Sequence, residues 1–203
     1  VGYTEDGGVT WRGLNHGLPG ESDTEKYDWG EMSSLAAGVQ SVIVDPRSPK
    51  ASRTLYASIW EHGVYKSEDG GQRWTQKSAG LGLPGINQRV CRVRLHPDGT
   101  LFVLITGKMR EHNLMTEGVG LYRSRDAGGR WEKITPGLDL RWLTDFELDP
   151  RDSRTIYLSA CQDPGRKLQE SGLYKTIDGG NTWNRLTRKS STHFGATISP
   201  RNP

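Results

Sequence analysis

The sequence has no apolar run that could span a bilayer. Its longest, Leu101-Phe102-Val103-Leu104-Ile105, is five residues, against the roughly 20 that a spanning helix requires, so no transmembrane segment is expected. Cysteine is scarce: Cys91 and Cys161 stand in no CxxC spacing, and the histidines at 16, 62, 96, 112 and 193 make no metal-ligand pattern. The zinc and haem signatures are thereby excluded, and neither a metal nor a cofactor is expected. There is no block of one charge: 27 Lys and Arg are interspersed with 24 Asp and Glu for a net charge of +3. That is a solvated surface rather than a nucleic-acid-binding stripe, and no nucleic-acid partner is expected. Phe and Met number only three each. The opening Val1-Gly2-Tyr3-Thr4 has no initiator Met, basic region or apolar leader, so any signal peptide is expected to have been removed or to lie outside this sequence.

What the chain has in quantity is glycine, 26 of 203 residues, with seven Trp and seven Tyr. Amphipathic aromatics pack well on strands, and glycine serves tight turns, so the composition points to an all-β fold. The 33% hydrophobic content is low for a globular chain, but with the glycines added it does not describe a disordered one.

Internal similarity organises the whole length. The segments Tyr3 to Trp11, Tyr65 to Trp74, Tyr122 to Trp131 and Tyr174 to Trp183 each contain a box of the form [Ser/Thr]-x-Asp-x-Gly-x-x-Trp. The box residues are Asp6 and Trp11, Asp69 and Trp74, Asp126 and Trp131, and Asp178 and Trp183. Trp-to-Trp intervals of 63, 57 and 52 residues are too variable for a solenoid but natural for four-stranded blades whose loops differ. In each box the Asp carboxylate is expected to accept backbone N–H bonds two residues on, with the Ser or Thr doing so more weakly, and glycine permits positive φ. A carboxylate repeated four times in one turn context reads as scaffold, not catalyst.

A second unit recurs between the boxes. Val39-Gln-Ser-Val-Ile-Val-Asp-Pro46, Val90-Cys-Arg-Val-Arg-Leu-His-Pro97, Leu143-Thr-Asp-Phe-Glu-Leu-Asp-Pro150 and His193-Phe-Gly-Ala-Thr-Ile-Ser-Pro200 are alternating strands closed by proline, which cannot donate to a ladder. The first three lead into Thr54 to Ile59, Thr100 to Ile105 and Thr155 to Ala160, then a Gly-Val-Tyr or Gly-Leu-Tyr strand and the box. Each set supplies strands a, b, c and d in order. The expected organisation is one partial β-propeller over residues 1–203. It comprises a c–d pair with a long loop over 1–38, blades over 39–78, 90–135 and 143–187, and a first strand of a further blade over 193–203.

This pattern resembles the Asp-box (BNR) β-propeller families: sialidases, sortilin-type receptors, xyloglucan-hydrolysing glycosidases and photosystem II assembly factors. The resemblance covers nearly the whole chain. It implies four-stranded antiparallel blades with the box between strands c and d, and ligands on the face formed by the b–c and d–a loops. No Arg-Ile-Pro stretch of the sialidase kind occurs.

Long connections concentrate on that face, where function gathers on rigid scaffolds. They bring forward Tyr27, Asp28 and Trp29; Trp60, Glu61 and His62; Lys108, Arg110, Glu111 and His112; Arg141 and Trp142; and Asp163, Arg166 and Lys167. Aromatic rings with guanidinium and carboxylate groups suit a sugar or a peptide. Glycoside hydrolysis needs two carboxylates about 5–9.5 Å apart, and no spacing selects a pair among Asp28, Glu61, Glu111 and Asp163; no catalytic residue is assigned.

Two further expectations concern pairing. Cys91 and Cys161 lie toward one face of neighbouring blades, which permits a disulfide, but they replace Gln40 and Trp60 in the repeat, positions that need no sulfur. Arg92 and Arg94 of one strand a stand against Asp145 and Glu147 of the next and are expected to pair across neighbouring blades. The leading functional expectation is a non-catalytic, exported or envelope-associated platform, extracellular or periplasmic, that binds a protein or a glycan. The alternatives are a glycoside hydrolase, sialidase- or xyloglucanase-like, and a structural subunit of a large assembly. A ring of fewer than four blades is expected to be completed by further blades of a longer chain or by partner subunits.

Overall fold

The computed structural model of the chain describes residues 1–19, 38–110, 113–161 and 171–187. It is all β. A short hairpin of β1 (Gly2–Tyr3) and β2 (Arg12–Gly13) comes first, and its turn is the first box. Three four-stranded antiparallel sheets follow. The first is β3 (Val39–Val44), β4 (Leu55–Ile59), β5 (Gly63–Ser67) and β6 (Thr75–Gln76). The second is β7 (Val90–Leu95), β8 (Leu101–Ile105), β11 (Gly120–Ser124) and β12 (Glu132–Lys133); β9 (Lys108–Arg110) pairs with β10 (Asn113–Met115) as a separate hairpin between β8 and β11. The third is β13 (Trp142–Asp149), β14 (Asp152–Cys161), β15 (Gly172–Thr176) and β16 (Asn184–Arg185). Each sheet is a meander of neighbouring strands, and the stack is a partial β-propeller. The fourth strand a, residues 193–203, lies outside the described residues.

The sheets are apolar where they pack on one another. Along β4, Leu55, Ala57 and Ile59 join Tyr65 and Trp74 against Val1 and Leu18 of the first hairpin segment. Tyr56 on the opposite face joins Val64, Val93, Val103 and Trp131 between the first and second sheets. Phe102, Leu104, Phe146, Leu148, Leu158 and Tyr174 fill the space between the second and third. An alternating strand with two buried faces reads as a continuous apolar run, as Leu101 to Ile105 does.

The boxes hold their turns by a repeated hydrogen-bond set, with one difference from the sequence expectation. The carboxylate reaches four residues on, not two: Asp69 Oδ1 accepts from Arg73 N at 2.9 Å and Asp126 Oδ1 from Arg130 N at 2.9 Å. The Ser or Thr two residues earlier donates to the same carboxylate and accepts from the second glycine, as Ser67 does from Gly71 N at 2.8 Å. Left-handed glycines such as Gly70 and Gly71, with φ of 74° and 95°, curl the chain so that the fourth residue, not the second, returns beneath the carboxylate.

These bonds hold the box carboxylates below the usual range. The Thr182 hydroxyl and amide bring Asp178 to about 2, the Thr10 hydroxyl lowers Asp6, and the backbone amides of Arg73 and Arg130 lower Asp69 and Asp126. A carboxyl depressed in the folded state stabilises the fold above its unfolded pKa, and that contribution is lost as pH falls toward the folded value. The urea unfolding midpoint is expected to stay level from neutrality to about pH 5 and to decline toward pH 2. Asp178→Asn is expected to make that decline shallower. An identical acid limb in the variant, measured by circular dichroism, contradicts the assignment.

The predicted ion pairs between neighbouring strands a are present. Arg92 Nε lies 3.0 Å from Asp145 Oδ1, and Arg94 NH2 lies 3.3 Å from Asp145 Oδ1 and 2.9 Å from Glu147 Oε2. Arg94 also lies over the Phe146 ring, 5.5 Å from its centroid, so β7 and β13 are joined by charge and by packing. The two cysteines are both free. Cys91 Sγ faces the Leu104 carbonyl at 3.5 Å, and burial pushes its thiol up to about 12, which leaves it protonated and unreactive at neutral pH.

Candidate functional site

The b–c and d–a ends of the three sheets form one rim. In the first sheet the chain reverses between Ile59 and Gly63 through Trp60, Glu61 and His62; Glu61 takes φ of 63° and Gly63 of 83°. A non-glycine residue in the left-handed region carries strain, and here it turns the Glu61 carboxylate toward the second sheet.

Arg89 receives it. This residue immediately precedes β7 and is only 3% exposed. Its Nε lies 3.2 Å from Glu61 Oε1, its NH1 donates to the Gly107 carbonyl at 3.4 Å, and its guanidinium lies over Trp60, 4.5 Å from the ring centroid. Burial lowers the Arg89 pKa and the Glu61 charge opposes that shift. Asn87, also buried, fixes the approach: its side chain accepts from Arg89 N and donates to the carbonyls of Thr106 and Glu117. Gly107 N then donates to the Arg141 carbonyl at 3.0 Å. A continuous rim therefore runs Trp60, Arg89, Gly107, Arg141, Trp142 across all three sheets. Within it Trp60 Nε1 and Thr106 Oγ1 are buried without a hydrogen-bond partner among the described residues.

A β-bulge sits at the same place in each strand a, after Val39, Val90 and Leu143. Bulges bend a strand and redirect side chains, and these fall directly beneath the rim.

Of the residues singled out from sequence, the structure brings together Trp60, Glu61, Arg141 and Trp142 on this rim, the last two partly exposed. His62 stands beside them, and its carbonyl accepts from Gln76 Nε2 at 2.9 Å. Arg110 ends β9, and its side chain is outside the described residues, as is that of Lys108. Tyr27, Asp28, Trp29, Glu111, His112, Asp163, Arg166 and Lys167 also lie outside them. Part of the long connection between β8 and β11 is itself the β9–β10 hairpin, with Met109 opposite Leu114. Arg89 was not singled out: it has no counterpart in the other repeats, where Gly38 and Trp142 hold its position. A lone basic residue at the start of an apolar strand was the signal available. Among the described residues no group of three or more His, Cys, Asp or Glu is placed to hold a metal ion, and no helix is long and apolar enough to cross a membrane.

No protein-family model matches the chain. A probable oligoxyloglucan-reducing end-specific xyloglucanase of Neosartorya fischeri is 25% identical over 194 residues, covering 91% of this chain and 22% of that protein. An oligoxyloglucan-reducing end-specific xyloglucanase of Emericella nidulans is 23% identical over 178 residues, covering 86% of this chain and 20% of that protein. The chain thus spans about a fifth of the length of these relatives. Among solved structures, a GH74 enzyme of Niastella koreensis superposes with a TM-score of 0.56 at 25% identity, over 73% of this chain and 22% of that one. The GH74 xyloglucanase of Xanthomonas campestris gives 0.60 at 19% identity, over 89% and 26%.

Proposed function

We propose that the chain is a blade segment of an Asp-box propeller acting on xyloglucan-type polysaccharide, and that its rim is part of the wall that holds the glucan chain. The observation that carries this reading is the match to a xyloglucanase along 91% of the chain. It favours the glycoside hydrolase alternative over a purely non-catalytic platform. The segment's own share is binding: Glu61, the one rim candidate carboxylate among the described residues, is engaged in an ion pair with Arg89 rather than aimed at a substrate. Trp142, partly exposed at the end of the rim, offers a ring for the apolar face of a sugar. A polymeric substrate too large to enter a cell places such a protein outside it.

The test is affinity electrophoresis of the 203-residue chain through gels containing xyloglucan or an unrelated neutral polysaccharide. Retardation by xyloglucan alone is expected, and Trp142→Ala is expected to weaken it about tenfold, the loss of one aromatic contact. Unchanged mobility in xyloglucan, with the chain folded by circular dichroism, overturns the reading.

A further inference from the structure

The three sheets meet the rim in the same way. In each, the residue before strand a faces the residue after strand b or at its end: Trp60 N donates to the Gly38 carbonyl, Thr106 N donates to the Arg89 carbonyl, and Trp142 pairs with Cys161. Gly38, Arg89 and Trp142 are therefore one position repeated three times, and Trp60, Thr106 and Cys161 are another. At this level of the rim an indole of the first sheet and an indole of the third stand on the sheets either side of Arg89.

The fold does not need a cation at this position, since glycine and tryptophan occupy it in the neighbouring sheets. Burying a guanidinium to 3% exposure carries a desolvation cost, which the lowering of the Arg89 pKa by burial reflects. What Arg89 has that its counterparts lack is a planar fork engaged in three directions. Its Nε meets Glu61 Oε1 at 3.2 Å, its NH1 donates to the Gly107 carbonyl at 3.4 Å, and its central carbon lies over the Trp60 ring, 4.5 Å from the centroid. The contacts to Glu61 and Trp60 hold the turn after β4. The contact to Gly107 holds the chain leaving β8, and Gly107 N donates to the Arg141 carbonyl, next to Trp142. One buried side chain thus ties the indole of the first sheet to the backbone that carries the indole of the third, and both indoles remain partly exposed.

We propose that Arg89 is a positioning residue of the glucan-binding rim: it makes no contact with the sugar, and it fixes the Trp60 ring in register with Trp142 so that one polysaccharide chain engages both. This rests on the binding role proposed above for the rim. Two rings act together on an extended chain only when their spacing and tilt are set beforehand; otherwise the cost of ordering them falls on binding. A lysine would keep the charge opposite Glu61, but a point charge on a flexible stem cannot stack on the indole and hold Gly107 at once.

The test is affinity electrophoresis in xyloglucan gels, with dissociation constants taken from retardation across a polysaccharide series. Arg89→Lys is expected to weaken binding about tenfold, the loss of one well-placed ring. Trp142→Ala is expected to cost only about twofold in the Arg89→Lys background, against about tenfold in the wild type, because the two rings no longer act on one chain. Independent contacts add in free energy, so losses that simply multiply overturn the proposal. Fluorine NMR of the chain labelled with 5-fluorotryptophan reads the ring directly, with the Trp60 signal assigned from Trp60→Phe. Arg89→Lys is expected to shift that signal and to leave the urea midpoint near the wild-type value. An unshifted Trp60 signal, wild-type binding by Arg89→Lys, or a loss of binding that only follows a loss of folding each overturns the proposal. A wild-type chain that xyloglucan does not retard overturns the binding reading itself, whereas a retarded wild type with multiplying losses overturns the positioning role alone.

Discussion

Replacing Trp131 by alanine is expected to lower the unfolding free energy of the chain by about 3–5 kcal/mol, the range for removing a large buried aromatic. The side chain is 2% exposed, lies in the apolar cluster between the first and second sheets, and donates its indole N–H to Lys77 O. Its backbone N–H donates to Ala79 O at 2.9 Å, so the same residue joins the two sheets by main chain and side chain. Trp131→Phe separates the contributions: it retains most of the apolar contact but leaves the Lys77 carbonyl without its donor, and about 1–2 kcal/mol is expected. The control is Trp11→Ala, the same box position at the open end of the stack, for which a change within about 0.5 kcal/mol is expected. Urea unfolding followed by circular dichroism measures all three. A Trp131→Ala midpoint equal to that of Trp11→Ala would refute the reading of the box tryptophan as an inter-blade contact.

Gly80→Ala is expected to cost about 3 kcal/mol, from a left-handed backbone penalty of about 1–2 kcal/mol and overpacking of similar size. Gly80 has φ of 80°, and a Cβ there would lie 2.5 Å from the Trp131 carbonyl oxygen. That neighbour is backbone belonging to the next blade's box, so relief requires the two sheets to part. Gly137 occupies the same repeat position, with φ of 72°, but a Cβ there meets nothing within 4 Å. Gly137→Ala is therefore expected to show only the backbone penalty, about 1–2 kcal/mol. The difference between the two variants isolates how closely adjacent blades approach, and equal losses in urea unfolding would mean that the approach contributes nothing.

The legible part of the molecule is the part that repeats. The four boxes announced their turns, and the spacing of Pro46, Pro97 and Pro150 marked the ends of strands a. The opposite charges at Arg92, Arg94, Asp145 and Glu147 predicted the bridge between β7 and β13 that the structure contains. Other signals were present and passed over. Gly17-Leu18, Gly80-Leu81 and Gly137-Leu138 recur six residues after successive box tryptophans, and this recurrence marks the close approach of neighbouring sheets that Gly17 and Gly80 make. The candidate site was legible only in fragments, since Trp60, Glu61, Arg141 and Trp142 could be named as loop-face residues but not joined. Arg89, which joins them, occurs once and is buried beside an apolar strand, so neither periodicity nor exposure pointed to it.

By itself the sequence determined the architecture: an all-β stack of four-stranded blades, their order, their turns and the alternation that packs one sheet on the next. It could do so because these features depend on contacts within a few residues, repeated often enough to rise above the variation between copies. Tertiary structure alone decided which carbonyl each box indole reaches and that Glu61 is committed to Arg89. Those facts depend on how one blade is rotated against the next. Residues 49 to 60 positions apart are brought together by that rotation, and no local rule of turn or strand encodes it.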